Sequence, residues 1–489
     1  MQAASDVYHV IRIYWPLLLG NILEWYEFAI FSFLEPYFQI NFFNGNAVST
    51  WLGFATSFIA RPFGGLVIGL IGDVFGRKVS SFVSIFGMLI GTVGQGMIPS
   101  YRCGEIAGTL GFFILVALRI LQGLATGGEI AAVSTYITEV GPHRVLARSM
   151  TLIGVTCTCG FFLAQLASYL IVEIFGETAT TTWAWRLPFL VALIPGLTAA
   201  YGRRYMPESQ LFLDEQTRVS KLGGLSGRAS GASQSAVRGL VDKLRLLMHS
   251  HCSALFLGIV FIAGSAMLSY GGWAWGVIYM RKHGASQQAL MAAGALGRAA
   301  SLVLAPLVGW LADTRGIAWN QLLGSCMLAL AGVPFFLAMQ SPNSFGVVVF
   351  AFGLGYGILL AFNTMVQPLH VVELFPVNVR NIGVGTSYNL GMCVFGGFAP
   401  VLLELSLDWT PWCPGLLLSL AGLTSAIAIL ISLRLQARGA LHLAYIRPVP
   451  YFGQQKCCKE SQTDLSWPDM GEVVKADVEL PATIRGVLE

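Results

Sequence analysis

The sequence predicts an all-α polytopic membrane protein: twelve transmembrane helices arranged as two six-helix pseudo-repeats. The first observation is composition. Hydrophobic residues make up 55% of the 489 positions and charged ones 11%, against roughly 25% charged in soluble domains, and the mean hydropathy is +0.67. The second is a row of twelve apolar runs, each near the ~20 residues that cross a bilayer as a helix. The third is a repeated loop. Gly69-Leu-Ile-Gly-Asp73-Val-Phe-Gly76-Arg77-Lys78 returns, worn, 240 positions later as Gly309-Trp-Leu-Ala-Asp313-Thr-Arg315-Gly316.

In lipid the backbone must satisfy its own hydrogen bonds, so spans without an alternating barrel pattern are helices. They are expected at about 11–38, 49–71, 79–98, 106–138, 148–174 and 184–205, then 251–280, 286–312, 319–340, 343–372, 380–405 and 411–435. The first run carries Glu24 and Glu27 and is long enough to span, so it reads as a retained helix rather than a cleaved signal. Residues 1–205 form the first bundle, 206–249 a Gly/Ser-containing linker, 250–436 the second bundle and 437–489 a mixed-charge tail expected to be disordered.

Lys and Arg set orientation. Arg77/Lys78, Arg144/Arg148, the linker bases, Arg315 and Arg380 fall on one face, whereas loops 42–48, 175–182, 340–344 and 408–411 contain neither. Both termini are therefore expected in the cytoplasm, with the plasma membrane as the expected location. Arg102 and Arg281-Lys282-His283 are exceptions. A second repeat supports duplication: Glu139-Val-Gly-Pro142-His-Arg144 ends span 4, and Glu373-Leu-Phe-Pro376-Val-Asn-Val-Arg380 follows 234 positions on. Two parallel six-helix halves imply a midplane site between them.

Other classes are disfavoured. A net charge of +4 is too small to point to nucleic acid. No nucleophile–base set or phosphate-cradling loop stands out, so an enzyme is not expected, and no cofactor or metal is called for. The nine cysteines, including the vicinal Cys457-Cys458 of the tail, show no metal or disulfide spacing.

The Gly69–Lys78 loop matches G-x-x-x-D-x-x-G-R-K, the signature between spans 2 and 3 of the major facilitator superfamily. Within it the chain resembles the metabolite–proton symporter family, on Gly20-Asn21-Ile-Leu-Glu24-Trp25-Tyr26-Glu27-Phe28, Arg61-Pro62-Phe-Gly64-Gly65 and Arg119-Ile-Leu-Gln122-Gly123 through Gly127-Gly128-Glu129. Trp185-Arg186-Leu-Pro188-Phe189, Glu373…Pro376…Arg380…Gly383 and Tyr388-Asn389-Leu-Gly391 also match. The likeness covers about residues 12–435. Glu27 stands where that family usually has Asp, and the second loop lacks the basic pair after Gly316. The resemblance implies alternating access and transport of organic acids or of zwitterions such as proline and betaine. It also implies proton coupling at Arg119 and a gate at the loop.

An ionised side chain at mid-membrane costs roughly 2.5–3.5 kcal/mol on insertion scales, so each such residue should face a partner or a wet cavity. Candidates for substrate and proton work are Glu24, Glu27, Arg61, Arg119, Gln122, Glu129 and Arg298. Glu24 and Glu27, three apart, share a helix side, as do Arg119 and Gln122. Arg119 presents a fork suited to a carboxylate, of the substrate or of Glu24/Glu27. Gly123 and Gly127 offer a face for close helix approach. Candidates for the cytoplasmic gate are Asp73, Arg77, Lys78, Glu139, Arg144, Asp313, Glu373 and Arg380. Tyr270, Trp273, Trp275 and Tyr279 read as an interfacial belt beside Arg281, with a cage for a quaternary ammonium as the other option.

The reading is a proton-coupled symporter of a small organic anion, a mono- or dicarboxylate. It needs only the substrate, protons and the bilayer as partners, and acts as a monomer. A zwitterionic-osmolyte symporter is the alternative, with a transporter-like sensor behind it.

Overall fold

The computed structural model describes residues 2–75, 77–140, 145–204, 239, 241, 244–376, 379–438 and 441. Most of those residues are helical, without a strand among them. Most of the 206–249 linker and the tail with Cys457-Cys458 lie outside the described residues.

Eleven helices are long and apolar enough to cross a membrane, and a bent pair makes the twelfth. Span 1 is that pair, Trp15–Phe33 and Glu35–Phe42, bent by 62°. Pro36 sits in the first turn of the second piece, where a missing N–H costs nothing, and the break falls at Leu34. The remaining spans begin near Ala47, Lys78, Glu105, Leu146, Ala184, Cys252, Gln287, Ile317, Val347, Arg380 and Cys413. Each lies within a few residues of its expected place.

Packing shows the duplication. In the first half span 1 packs on 5, span 2 on 4 and span 3 on 6; in the second half 7 packs on 11, 8 on 10 and 9 on 12. The halves meet through 5 against 8 and 2 against 11, which are equivalent pairs under that repeat. Residues 1–447 form one compact unit.

Small residues permit the tightest approach. A Cβ on Gly123 would stand 2.0 Å from the Ser57 carbonyl oxygen, and one on Gly127 2.2 Å from that of Arg61. The Gly123/Gly127 face is the seam between spans 4 and 2, as its spacing predicts.

Three stretches widen to π-helical turns: Met267–Trp275, Val347–Leu354 and Cys393–Gly397. They converge. Trp273 stacks on Phe352 with centroids 4.8 Å apart, and Gly396 lies against the Tyr270 ring. Such turns rotate side chains off the regular helical face.

Candidate functional site

The first half holds a fully buried polar cluster. Glu24 forms an ion pair with Arg61. Arg61 also donates to Thr126 Oγ1 at 3.2 Å and lies over the Phe28 ring at 4.3 Å. Arg119 takes a different partner from those expected. It donates to Gln122 Oε1 (2.9 Å) and the Phe54 carbonyl (2.9 Å), with its guanidinium over Phe31 at 4.3 Å. Gln122 passes the contact on, donating to Glu27 Oε2 (3.1 Å) and Thr92 Oγ1 (3.0 Å). Arg119 thus reaches Glu27 through a neutral amide, and Glu24 belongs to Arg61. Helix rotation decides this, because Arg61 on span 2 faces span 1 at the depth of Glu24.

Glu129 pairs with Arg203 of span 6, and Ser84 Oγ donates to Glu129 Oε2 at 3.1 Å. The pair lies within the first half, and neither residue lines the central cavity described below. Arg203 reads in the sequence as one of the bases near the linker, yet it is 1% exposed. Its position one residue inside the end of span 6 is the only hint of that.

The second half has one strong charge near this depth, and its setting differs. Arg298 is 2% exposed. It donates to Tyr356 Oη at 3.0 Å, and Phe161, Trp273 and Tyr356 rings lie 4.9–5.1 Å from its guanidinium carbon. Among the described residues its Nε and Nη2 have no hydrogen-bond partner and no acid pairs with it. Phe161 belongs to span 5, so this cation stands at the seam between halves.

A small cavity between the halves is lined by Trp25, Cys157, Ser269, Gln367 and Tyr388, among others. The belt reading of span 7 fails at its first two residues. Tyr270 and Trp273 are completely buried, and Tyr270 is ringed by Trp25, Phe54, Phe58 and Phe161 at 4.9–6.3 Å. The π-helical turn there aims both rings inward. Trp275 is buried too and donates to Glu404 Oε2 at 2.6 Å; only Tyr279 remains partly exposed.

Contacts between the halves close both faces. On the face carrying the termini, Arg148 pairs with Asp313 at 3.0 Å, the Ala147 N–H donates to Asp313 Oδ1 at 2.8 Å, and Asn389 Nδ2 donates to the Gly127 carbonyl. Asp313, expected at a gate, is therefore at an inter-half contact. On the opposite face Arg281 pairs with Glu177 and donates to Tyr37 Oη at 3.1 Å. Lys282 Nζ stands 3.9 Å from both Glu35 and Glu404, and Gln165 donates to the Leu290 carbonyl at 2.9 Å. The basic cluster that breaks the loop-charge rule is engaged with acids of the first half.

The other gate candidates divide. Glu373 is buried with both oxygens unpartnered, and Arg380 donates to the Phe375 carbonyl instead (3.3 Å). Lys78 is partly buried at the start of span 3. Arg144 and the side chains of Asp73, Arg77 and Glu139 lie outside the described residues. Sequence reasoning missed Tyr356, Thr92, Gln367, Glu35 and Glu177, which carry no motif.

The profile of the sugar (and other) transporter family matches residues 15–406. An α-ketoglutarate permease of Escherichia coli (strain K12) is 28% identical over 442 residues, covering 86% of this chain and 92% of the relative. The ectoine/proline transporter ProP of Corynebacterium glutamicum is 27% identical over 406 residues, 80% and 77% of the two chains. A putative proline/betaine transporter of Staphylococcus aureus is 26% identical over 393 residues, 78% and 79%. These are the organic-acid and zwitterion carriers that the sequence resembles. Among solved structures, the proton:xylose symporter XylE bound to 6-bromo-6-deoxy-D-glucose superposes with a TM-score of 0.68 at 18% identity, over 88% of this chain and 96% of that one, which is agreement of fold. With twelve spans, a duplicated bundle and a cavity at the seam, the chain belongs to the sugar (and other) transporter family of the major facilitator superfamily and is a multi-pass membrane transporter of small molecules, not an enzyme.

Proposed function

We propose that the protein is a proton-coupled symporter of a small organic anion, a mono- or dicarboxylate, working by alternating access. The observation that carries this reading is Arg298: a buried guanidinium with two N–H groups unpartnered and no acid against it. Burying an unpaired charge costs several kcal/mol. A carboxylate arriving at Nε and Nη2 offsets that cost through two parallel charge-assisted hydrogen bonds. The central charge balance agrees, since Arg61, Arg119 and Arg298 face only Glu24 and Glu27 at this depth.

The proton belongs to the first half. Glu27 has neutral partners, Gln122 and Thr92, and one oxygen without any, so it can be buried with a proton at less cost than as an ion. Its state reaches Arg119 through Gln122. Protonation of Glu24 frees Arg61 instead. Either change loosens the contacts among spans 1, 2 and 4 and lets the loaded bundles rock. Asp313 with Arg148 acts as a gate, together with the Asp73–Lys78 loop, Glu139, Arg144, Glu373 and Arg380. The protein works as a monomer in the plasma membrane with both termini in the cytoplasm, following the distribution of Lys and Arg.

A second reading has its own support. The rings of Trp25, Phe161 and Tyr270 could hold an ammonium by cation–π attraction while Arg298 takes the carboxylate, as a zwitterion requires, and two of the relatives are named for proline. Uptake into proteoliposomes separates the readings. The panel is labelled α-ketoglutarate, shorter carboxylates, proline and betaine, with and without an inward proton gradient. Carboxylate uptake that the gradient accelerates is the expected result. Uptake of betaine or proline alone overturns the anion reading, and carboxylate uptake indifferent to the gradient overturns the coupling.

A further inference from the structure

A guanidinium binds a carboxylate through two parallel hydrogen bonds only when one of its edges is held open for it. In Arg298 the open edge is the side-on pair Nε and Nη2. The remaining nitrogen, Nη1, is taken by Tyr356, whose Oη accepts from it at 3.0 Å. The Phe161, Trp273 and Tyr356 rings stand 4.9–5.1 Å from the guanidinium carbon, but a ring attracts the charge of a cation without choosing among its N–H groups. The rings hold the group in place; the Tyr356 hydroxyl fixes its turn. Among the described residues that hydroxyl is the one hydrogen-bond partner of the guanidinium.

Backbone contact sets the phenol at this place. A Cβ on Gly297 would stand 2.4 Å from the Gly353 carbonyl oxygen, and one on Gly357 2.1 Å from that of Gly297, so spans 8 and 10 touch there with no side chain between them. Arg298 and Tyr356 are the chain neighbours of Gly297 and Gly357, and the contact fixes how far apart they start. The phenol is itself held. Its ring packs on Trp273 with centroids 4.4 Å apart, Trp273 stacks on Phe352, and Ser269 of span 7 lies beside the hydroxyl. Tyr356 is completely buried, so bulk water does not compete for Nη1.

We infer that Tyr356 is a positioning residue for substrate binding: by taking Nη1 it keeps the Nε–Nη2 edge of Arg298 open to a carboxylate. This rests on Arg298 as the carboxylate site, which the organic-anion and zwitterion readings share, and adds the group that aims it.

A double-mutant cycle tests it, read as uptake of labelled α-ketoglutarate and of labelled proline into proteoliposomes. Tyr356→Phe keeps the ring against Trp273 and removes only the hydroxyl. KM should rise about tenfold, the factor that one hydrogen bond to a charged group supplies, while the maximal rate per carrier changes by less than about twofold. Arg298→Lys keeps the charge but has no fork to aim, so adding Tyr356→Phe to it should move KM by less than about twofold. A tyrosine that served packing alone would give the same factor in both backgrounds. Ser269→Ala, one contact further out, should raise KM about threefold and serves if the phenylalanine variant does not reach the membrane. Unchanged KM in the variant recovered, or an equal rise in both backgrounds, overturns the inference. A KM raised by Arg298→Ala then leaves the carboxylate site standing, whereas Arg298→Ala without effect, or uptake of neither probe by the wild-type protein, removes the site and the inference together.

Discussion

The two halves repeat one topology but bury charge in opposite ways. In the first half every buried cation is tied to an acid, directly or through one amide: Arg61 to Glu24, Arg203 to Glu129, and Arg119 through Gln122 to Glu27. In the second half Arg298 has a phenol, three aromatic rings and two idle N–H groups. The ion-pair polarity reverses between faces as well. On the terminal face the first half supplies the base, Arg148, and the second the acid, Asp313; on the opposite face the second half supplies Arg281 and Lys282 and the first Glu177 and Glu35. The cluster of Arg61, Arg119, Glu24 and Glu27 already pairs its charges and can store a proton without a ligand, whereas Arg298 lacks an acid among the described residues and is completed by one. On the proposed symport, proton storage and substrate binding fall to different halves.

The sharpest way to break this comparison is Arg298→Ala. Truncating one partner of a buried charge pair costs about 2–5 kcal/mol, so carboxylate KM should rise on the order of 30- to 4000-fold. Arg298→Lys keeps the charge without the fork and should fall between. Unchanged KM in the alanine protein, measured in proteoliposomes, would place the substrate elsewhere.

Glu27→Gln is the next in size. With one proton per monoanion, a one-unit pH step drives about tenfold accumulation, since a pH unit is worth about 1.36 kcal/mol. The glutamine variant, neutral at all pH, should accumulate about onefold yet still exchange labelled for unlabelled substrate. Glu24→Gln leaves Arg61 without its acid and should slow exchange too. If Glu27→Gln still accumulates tenfold, the first half's proton lies on Glu24.

Much of this was legible in the sequence, for reasons that differ by residue. Twelve spans follow from run length alone, because lipid forbids alternatives. Glu24, Arg119 and Arg298 were legible as charges needing a partner or a wet cavity because charge is costly at that depth, and all three are buried. Partners were not. Glu24 meets Arg61 rather than Arg119 because helix rotation decides the choice, and neither spacing nor charge encodes rotation. Tyr270 and Trp273 were misplaced to the interface because the π-helical turn at Met267–Trp275 breaks the 3.6-residue register that the reading assumes. Arg281 and Lys282 violated the loop-charge rule because their partners, Glu177 and Glu35, lie more than a hundred positions away.

The polarity reversal between the faces gives smaller effects, read at Cys157. This thiol lines the central cavity, so in a background with the other cysteines replaced by serine, its alkylation by a membrane-impermeant reagent reports opening toward each face. Asp313 is 9% exposed and holds both Arg148 and the Ala147 N–H. Asp313→Asn should raise labelling from the terminal face by about fivefold, the effect of roughly 1 kcal/mol.

The Arg281–Glu177 pair should yield the smallest change. Glu177 is 61% exposed and Arg281 21%, water screens the pair, and exposed pairs contribute little. Arg281 also keeps Tyr37 when the carboxylate is gone, and Lys282 with Gln165 still bridges the halves nearby. Glu177→Gln should therefore raise Cys157 labelling from the opposite face by less than about twofold. High salt should shrink the wild-type difference further, because the Debye length falls to about 3 Å at 1 M. Glu35 is the contrasting acid on that face, fully buried beside Lys282. If Glu177→Gln opens that face as much as Asp313→Asn opens the other, the exposed pair is a true latch, and the two faces are held with equal strength despite their unequal burial.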